Sequence, residues 1–277
     1  MIYLILAMVS SMLVAVFMRL SEKYSRGGTG MLAVNYVMCC ALSLAFSGSI
    51  NLFPASEELP SALMLGGING VLYLAGFVLL QWNISKNGVV LPSTFMKLGV
   101  LVPTVISMIV FGEQPGAAQI IGILMAVAAI ILINGGEKQK TGSAPGLVLL
   151  LLAGGSGDVM SKVYEEIGPA ALKDQFLLYT FMTALILCAA LCIAKKQSFG
   201  WKEALFGLLV GIPNYFSARF LLLSLKDVPA VVAYPSFSVG TIVLVTVVGV
   251  LCFKEKLSRR KMIALGVILV SLALLNL

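Results

Sequence analysis

Val89-Val90-Leu91-Pro92-Ser93-Thr94-Phe95 and Val231-Val232-Ala233-Tyr234-Pro235-Ser236-Phe237 are two versions of one segment, 142 positions apart (89 to 231). The same ungapped offset carries Phe111-Gly112-Glu113 onto Phe253-Lys254-Glu255, Thr104-Val105 onto Thr246-Val247, Asn134 onto Asn276 and Tyr73 onto Tyr215. Chance matches of Leu and Val are cheap in an apolar chain. A Phe-x-Glu pair, a tyrosine pair and an asparagine pair at one offset are not, so the chain reads as an internal duplication.

Working outward, both copies sit among long apolar runs. The 277 residues are 60% hydrophobic and 11% charged, against roughly 45–50% and about 25% in soluble domains. A soluble fold of this size needs more polar surface than the chain has. A membrane helix needs roughly 20 mostly apolar residues. Ten segments meet or approach that, at about 1–20, 30–50, 60–82, 88–111, 116–135, 145–164, 174–194, 203–225, 229–252 and 259–277. The expected fold is an all-α integral membrane protein of ten transmembrane helices. The first repeat covers 1–136, a polar linker 137–144, and the second repeat 145–277. Five spans per repeat is an odd number, so the second repeat enters the bilayer upside down. Inverted repeats are a common architecture of secondary transporters and imply alternating access to a site near the midplane.

The first span lacks a basic leader and meets its first charge at Arg19, so it reads as a structural helix and not a signal peptide. The five cysteines (Cys39, Cys40, Cys188, Cys192 and Cys252) lie inside apolar spans and read as small packing residues. The chain has no histidine, which removes a Ser-His-Asp triad, an HExxH zinc site and any imidazole relay. No cofactor or metal is expected, and nothing points to nucleic acid. The sequence has no Gly-x-x-x-x-Gly-Lys-[Ser/Thr] loop, so ATP hydrolysis is not expected.

Two five-helix halves, each ending in a Phe-x-Glu turn and a last apolar helix, resemble the EamA-type members of the drug/metabolite transporter superfamily. The motifs that carry the resemblance are Phe111-Gly112-Glu113-Gln114 and Phe253-Lys254-Glu255-Lys256, with Pro92, Pro103, Pro229 and Pro235 on the helices before them. The resemblance covers the whole chain. It implies a carrier of a small metabolite, with a cavity lined by the first, third and fourth helices of each half. Such carriers usually keep both termini in the cytoplasm and a basic loop after the second helix. Here residues 51–60 hold Glu57 and Glu58 and no Lys or Arg. The odd-numbered loops hold Arg19, Lys23, Arg26, Lys86, Lys138, Lys140, Lys195, Lys196, Lys202, Lys254, Lys256, Arg259, Arg260 and Lys261, and the even-numbered loops only Lys162, Lys173 and Lys226. Fourteen against three favours odd loops in the cytoplasm and both termini outside a cytoplasmic membrane.

Charges inside the bilayer are costly and carry the most information. Lys97 lies deep in the fourth span, between Pro92 and Pro103, and is read as a cation for an anionic substrate group. Arg219 and Asp158 lie at similar depth in the eighth and sixth spans and are expected to pair, with Lys162 competing for Asp158. Asp158 is the acid well inside a span, hence the candidate for proton coupling. Asn69 and Tyr73 share a face of the third span, Asn214 and Tyr215 adjoin in the eighth, and Tyr73 and Tyr215 are expected to face each other. Thr94 and Ser236 correspond under the repeat, and Tyr234 is placed to stack on a substrate. Interhelical hydrogen bonding is the structural alternative for these polar groups. Glu113 and Glu255 are expected to close turns and cap the fifth or tenth span. Gly66, Gly67, Gly70, Gly154, Gly155 and Gly157 are expected to permit close helix approach.

These residues point to a secondary transporter of a small anionic or zwitterionic metabolite, such as an amino acid or organic acid. Protons are the candidate coupling ion. The alternative is an efflux carrier for cationic or apolar compounds, resting on Asp158. A multi-span membrane enzyme is disfavoured because the spans hold no histidine and no aspartate pair. Both halves lie in one chain, so a monomer suffices, and a dimer is compatible.

Overall fold

The computed structural model describes residues 1–21, 28–47, 52–87, 90–134, 144–194, 196, 200–254 and 258–277. Among these the fold is all-helical, with α1 (Ile2–Ser21), α2 (Gly28–Phe46), α3 (Leu59–Asn87), α4 (Val90–Leu98), α5 (Leu101–Val110), α6 (Ala117–Asn134), α7 (Ala144–Ile167), α8 (Lys173–Ala194), α9 (Trp201–Ser224), α10 (Ala230–Phe253) and α11 (Arg259–Leu275). A 3-10 turn, Ala170–Leu172, leads into α8. A bilayer core offers the backbone no water, so an apolar run satisfies its own N–H and C=O groups by coiling into a helix. Seven of these helices are long and apolar enough to cross a membrane. The remaining spans are shorter: α6, the fourth span formed by α4 and α5 together, and the 17-residue α11. Residues 137–143 of the linker and Glu255 lie outside the described residues, while Ala144 begins α7.

The fourth span runs as one apolar helix over Thr94–Val110, as expected. Its α pattern is interrupted at Gly99–Val100, between α4 and α5, by a 3-10-type turn in which Val100 keeps right-handed helical geometry (φ −53°, ψ −25°). Pro103 has no N–H to return to the Gly99 carbonyl, four residues back. Val102 N donates to that carbonyl at 2.9 Å instead, and Gly99 N is shared between the Phe95 and Met96 oxygens at 3.1 and 3.2 Å. The interruption is braced from α7. A Cβ on Gly99 would stand 2.9 Å from Gly155 N, and one on Gly154 would stand 3.1 Å from the Met96 oxygen. Small residues there let backbone meet backbone, as in other membrane helix contacts.

The duplicated Phe-x-Glu motif proves to be a left-handed turn. Gly112 (φ +69°) and Lys254 (φ +54°) are equivalent in the repeat, and each follows the last helical phenylalanine or its cap. The Lys254 N–H closes the turn on the Gly249 oxygen. Glycine adopts this region freely, while a residue with a Cβ does so at a cost of about 1 kcal/mol or more.

The helices form two compact units, and each takes segments from both repeats. The first unit comprises residues 75–162 and 224–277, with Met1. In it α6 packs along α11, and α5 along α10. Ser271 Oγ donates to the Gly122 oxygen at 2.7 Å across the α6–α11 contact. The second unit comprises residues 2–74 and 163–223. In it α2 packs along α8, and the buried Cys188 thiol donates to the Thr29 oxygen at 3.5 Å. Gly66 and Gly70 of α3 press on α8 at Phe176, Tyr179 and Thr180, as their small size leads one to expect. Fifth with tenth, fourth with ninth and second with seventh spans are pairs of repeat-equivalent helices.

Lys254→Gly is expected to raise thermal stability in detergent by about 1 kcal/mol, and Gly112→Ala to lower it by a similar amount. Thermal unfolding of the two purified variants checks both signs.

Candidate functional site

In the first unit the residues of interest gather around the α4/α5 interruption and the start of α10. Lys97 stands in the last turn of α4 with an exposed side chain, where the partial negative charge of a helix C-terminus favours a cation. Thr94, one turn earlier, is buried. Asp158 lies on α7, three residues beyond the Gly155 that braces the interruption. Neither Lys97 nor Asp158 makes an ion pair or side-chain hydrogen bond among the described residues. Tyr234 is fully buried in α10, and its hydroxyl donates to the Asp158 main-chain oxygen at 2.6 Å. Ser236 is buried beside it with its hydroxyl unpartnered.

Glu113 closes this cluster. Pro229 precedes α10 and supplies no side-chain cap. The Glu113 carboxylate, carried over by the Gly112 turn, instead accepts from Ala230 N at 3.0 Å and Val231 N at 2.9 Å. Lys162, buried on α7, pairs with the same carboxylate at 3.0 Å and lies 5.6 Å from the Phe111 ring centre. Free amides and a partial positive charge at a helix start suit a carboxylate. Glu113 was expected to cap the fifth or tenth span; it caps α10, the ninth, because the turn aims it across the chain and not onward. Lys162 goes to Glu113 and not to Asp158.

In the second unit the cluster surrounds α8 and α9. Arg219 was expected to pair with Asp158. It pairs with Asp174, both carboxylate oxygens lying 3.2 Å from one guanidinium nitrogen. Asp174 belongs to the first turn of α8, which favours an acid there on its own account. The guanidinium also lies 4.5 Å from the Phe46 ring centre and 6.0 Å from that of Tyr215. Tyr73 and Tyr215 meet through Phe181, with ring centres 6.1 and 6.4 Å from it. Asn69 is buried and donates to Thr180 Oγ1 at 3.3 Å, leaving its carbonyl oxygen unpartnered, as is the buried Tyr215 hydroxyl. Asn214 donates to Asn35 Oδ1 at 3.1 Å and stands 3.7 Å from the Cys39 sulfur. Cys39 in turn donates to the Gly211 oxygen at 3.4 Å.

Comparison with known proteins places this arrangement. A family model described as the EamA-like transporter family matches residues 1–135 and again 142–277. The chain belongs to the EamA-like transporter family. A Haemophilus influenzae protein described as uncharacterized is 23% identical over 92% of this chain and 91% of its own length. The Bacillus subtilis membrane protein YvaE, also described as uncharacterized, is 36% identical over 35% of this chain and 86% of its own. A crystal structure titled only as that of a protein shares the fold, with TM-score 0.77, 18% identity and coverage of 99% of this chain and 94% of that one. The EamA-like chain is thus a multi-pass membrane protein of a transporter family.

Sequence reasoning missed Asn35, Cys39, Asp174 and the Glu113–Lys162 pair as partners. Asp174 was legible in one respect: it is an acid in the first turn of an apolar helix. Asp174→Asn is expected to lower thermal stability by about 1–2 kcal/mol, because it leaves a part-buried guanidinium without its counter-charge. Arg219→Lys is expected to lose part of the same amount, since an ammonium lacks the planar stack on Phe46. Melting curves of the two single variants and the double variant test the coupling.

Proposed function

We propose that the chain is a secondary active transporter that moves a small anionic or zwitterionic metabolite, such as an amino acid or organic acid, by alternating access. The observation that carries this is the pair of intramembrane charges at the interrupted α pattern of the fourth span. Charged side chains within membrane spans mark substrate and ion pathways, and secondary transporters place ligand groups where helices depart from regularity. Here Lys97 stands on the turn before Gly99–Val100 and Asp158 a few residues past the brace on α7, neither one paired among the described residues. A cation for a carboxylate or phosphate and an acid for an ammonium or a proton are the complement of such a solute. Within the first unit Thr94, Ser236 and Tyr234, and within the second, taken by itself, Asn69, Tyr73, Asn214, Tyr215 and Arg219, are the polar and aromatic groups proposed to meet solute. The basic odd-numbered loops set the termini outside a cytoplasmic membrane. A monomer suffices.

A second reading is efflux of cationic or apolar compounds. It is favoured by the ring cluster of Tyr36, Tyr73, Phe181, Tyr215 and Phe216 in the second unit.

Tracer and proton flux in proteoliposomes, with a panel of amino acids, organic acids and amines, decides between them. Flux of an anionic or zwitterionic solute is expected, reduced at least about tenfold in Lys97→Ala and in Asp158→Asn. Amine flux that survives Lys97→Ala and fails in Asp158→Asn overturns the first reading in favour of the second.

A further inference from the structure

The first two turns of α10 meet α7 at two levels, once through Glu113 and once directly. In the outer layer, the Ala230 and Val231 amides hold Glu113, and Lys162 of α7 holds Glu113 from the other side. In the next layer, Tyr234 donates to the main-chain oxygen of Asp158. Residues 230 and 234 are one turn apart on α10, and 162 and 158 one turn apart on α7, so the two helices run antiparallel in register. Asp158 and Lys162 therefore share a face, with the acid N-terminal to the base, which is the favourable order for an i, i+4 pair. The Asp158 carboxylate makes no ion pair among the described residues.

We propose that Lys162 is a two-position switch that moves between Glu113 and Asp158 and so couples the charge of Asp158 to the first turn of α10. The ammonium ends a flexible four-carbon stem, and the exchange needs only rotations of that stem. With Asp158 uncharged, Lys162 has Glu113 as its acid partner, the contact seen at 3.0 Å. With Asp158 ionised, two carboxylates compete for one ammonium. Glu113 is only 14% exposed in its side chain, and a poorly hydrated carboxylate that loses its counter-ion gains by turning toward solvent. The Ala230 and Val231 amides then lose their acceptor, with no local cap to replace it. Proton or solute binding at Asp158 is thereby felt at the start of a helix whose repeat partner, α5, lies just past the interruption at Gly99–Val100. The switch deepens the transporter reading by giving Asp158 a mechanical output.

Other charges near Asp158 are few. Of the elements packed on α7 in this unit, α3 brings Lys86 near the far end, α4 brings Lys97, and α5 and α10 bring none. On α7 itself Lys162 is the base one turn away. Lys97 is thus the cation that a control must remove.

Hydrogen–deuterium exchange of the purified full chain in detergent tests the switch. Peptides covering 229–236 are followed from about pH 4 to about pH 9, a range that starts at the ordinary titration of an aspartate and extends well above it, and corrected for intrinsic rates, with no solute present. Wild type is expected to lose about fivefold in protection across that range, a change of the size a helix-terminal charge supports. Asp158→Asn is expected to stay protected throughout, Lys162→Gln to be poorly protected throughout, and Lys97→Ala to respond as wild type does. A flat wild-type profile, or a drop that persists in Asp158→Asn, overturns the proposal. So does a drop abolished by Lys97→Ala but kept in Lys162→Gln. If Lys162→Gln does not fold, the isosteric Asp158→Asn decides alone. Because no solute is present, a wrong substrate assignment leaves the result unaffected.

Discussion

A helix start that is shielded from water exposes N–H groups for which the protein must supply acceptors. At α10 the acceptor is Glu113, and much of the first unit follows from that requirement. Pro229 starts the helix but offers no side-chain cap. The acceptor therefore comes from a distant turn, and that turn must be left-handed to aim it. The carboxylate then needs a cation, which is Lys162 of α7. Once α7 is held there, Tyr234 falls against the Asp158 carbonyl one layer in. A loop, two helices and a buried charge are fixed by one side chain.

The packing of repeat-equivalent helices gives the duplication its mechanical sense. Pairing α6 with α11, α5 with α10 and α2 with α8 means that neither sequence half buries its helix faces alone. Each compact unit is built from both halves. Contacts between repeat-equivalent helices rely on small residues where backbones meet, as at Gly122 against Ser271.

The fold was legible because it rests on features that survive in one dimension: apolar run length, an odd number of spans per repeat, and a turn motif at a constant offset. The close-approach glycines at 66, 70, 154 and 155 were legible for the same reason, since a missing Cβ matters wherever helices cross. Ion-pair partners were not. Arg219 and Asp158 have matching depth, but depth is a single coordinate and pairing needs three. Asp174, one helix away within the same unit, takes the guanidinium. Glu113 read as an interfacial cap and is one, yet the helix it caps lies more than a hundred residues along the chain. The interruption in the fourth span was hinted at by Gly99 and Pro103 together, but proline alone is common in regular membrane helices and did not fix its place.

Lys254 occupies a backbone geometry that its own repeat partner, Gly112, fills without strain. It is also one of the fourteen basic residues that crowd the odd-numbered loops. The position thus serves two masters, local conformation and the sidedness of insertion, and they ask for different side chains. After a duplication in which one copy is threaded in reverse, equivalent turns emerge on opposite faces of the membrane and meet opposite demands for charge. Glycine meets the conformational demand at one turn, while the other holds a cation in a left-handed conformation. The pseudo-symmetry of the repeats is thus broken at a turn, and a screen for stability alone would favour glycine at both positions.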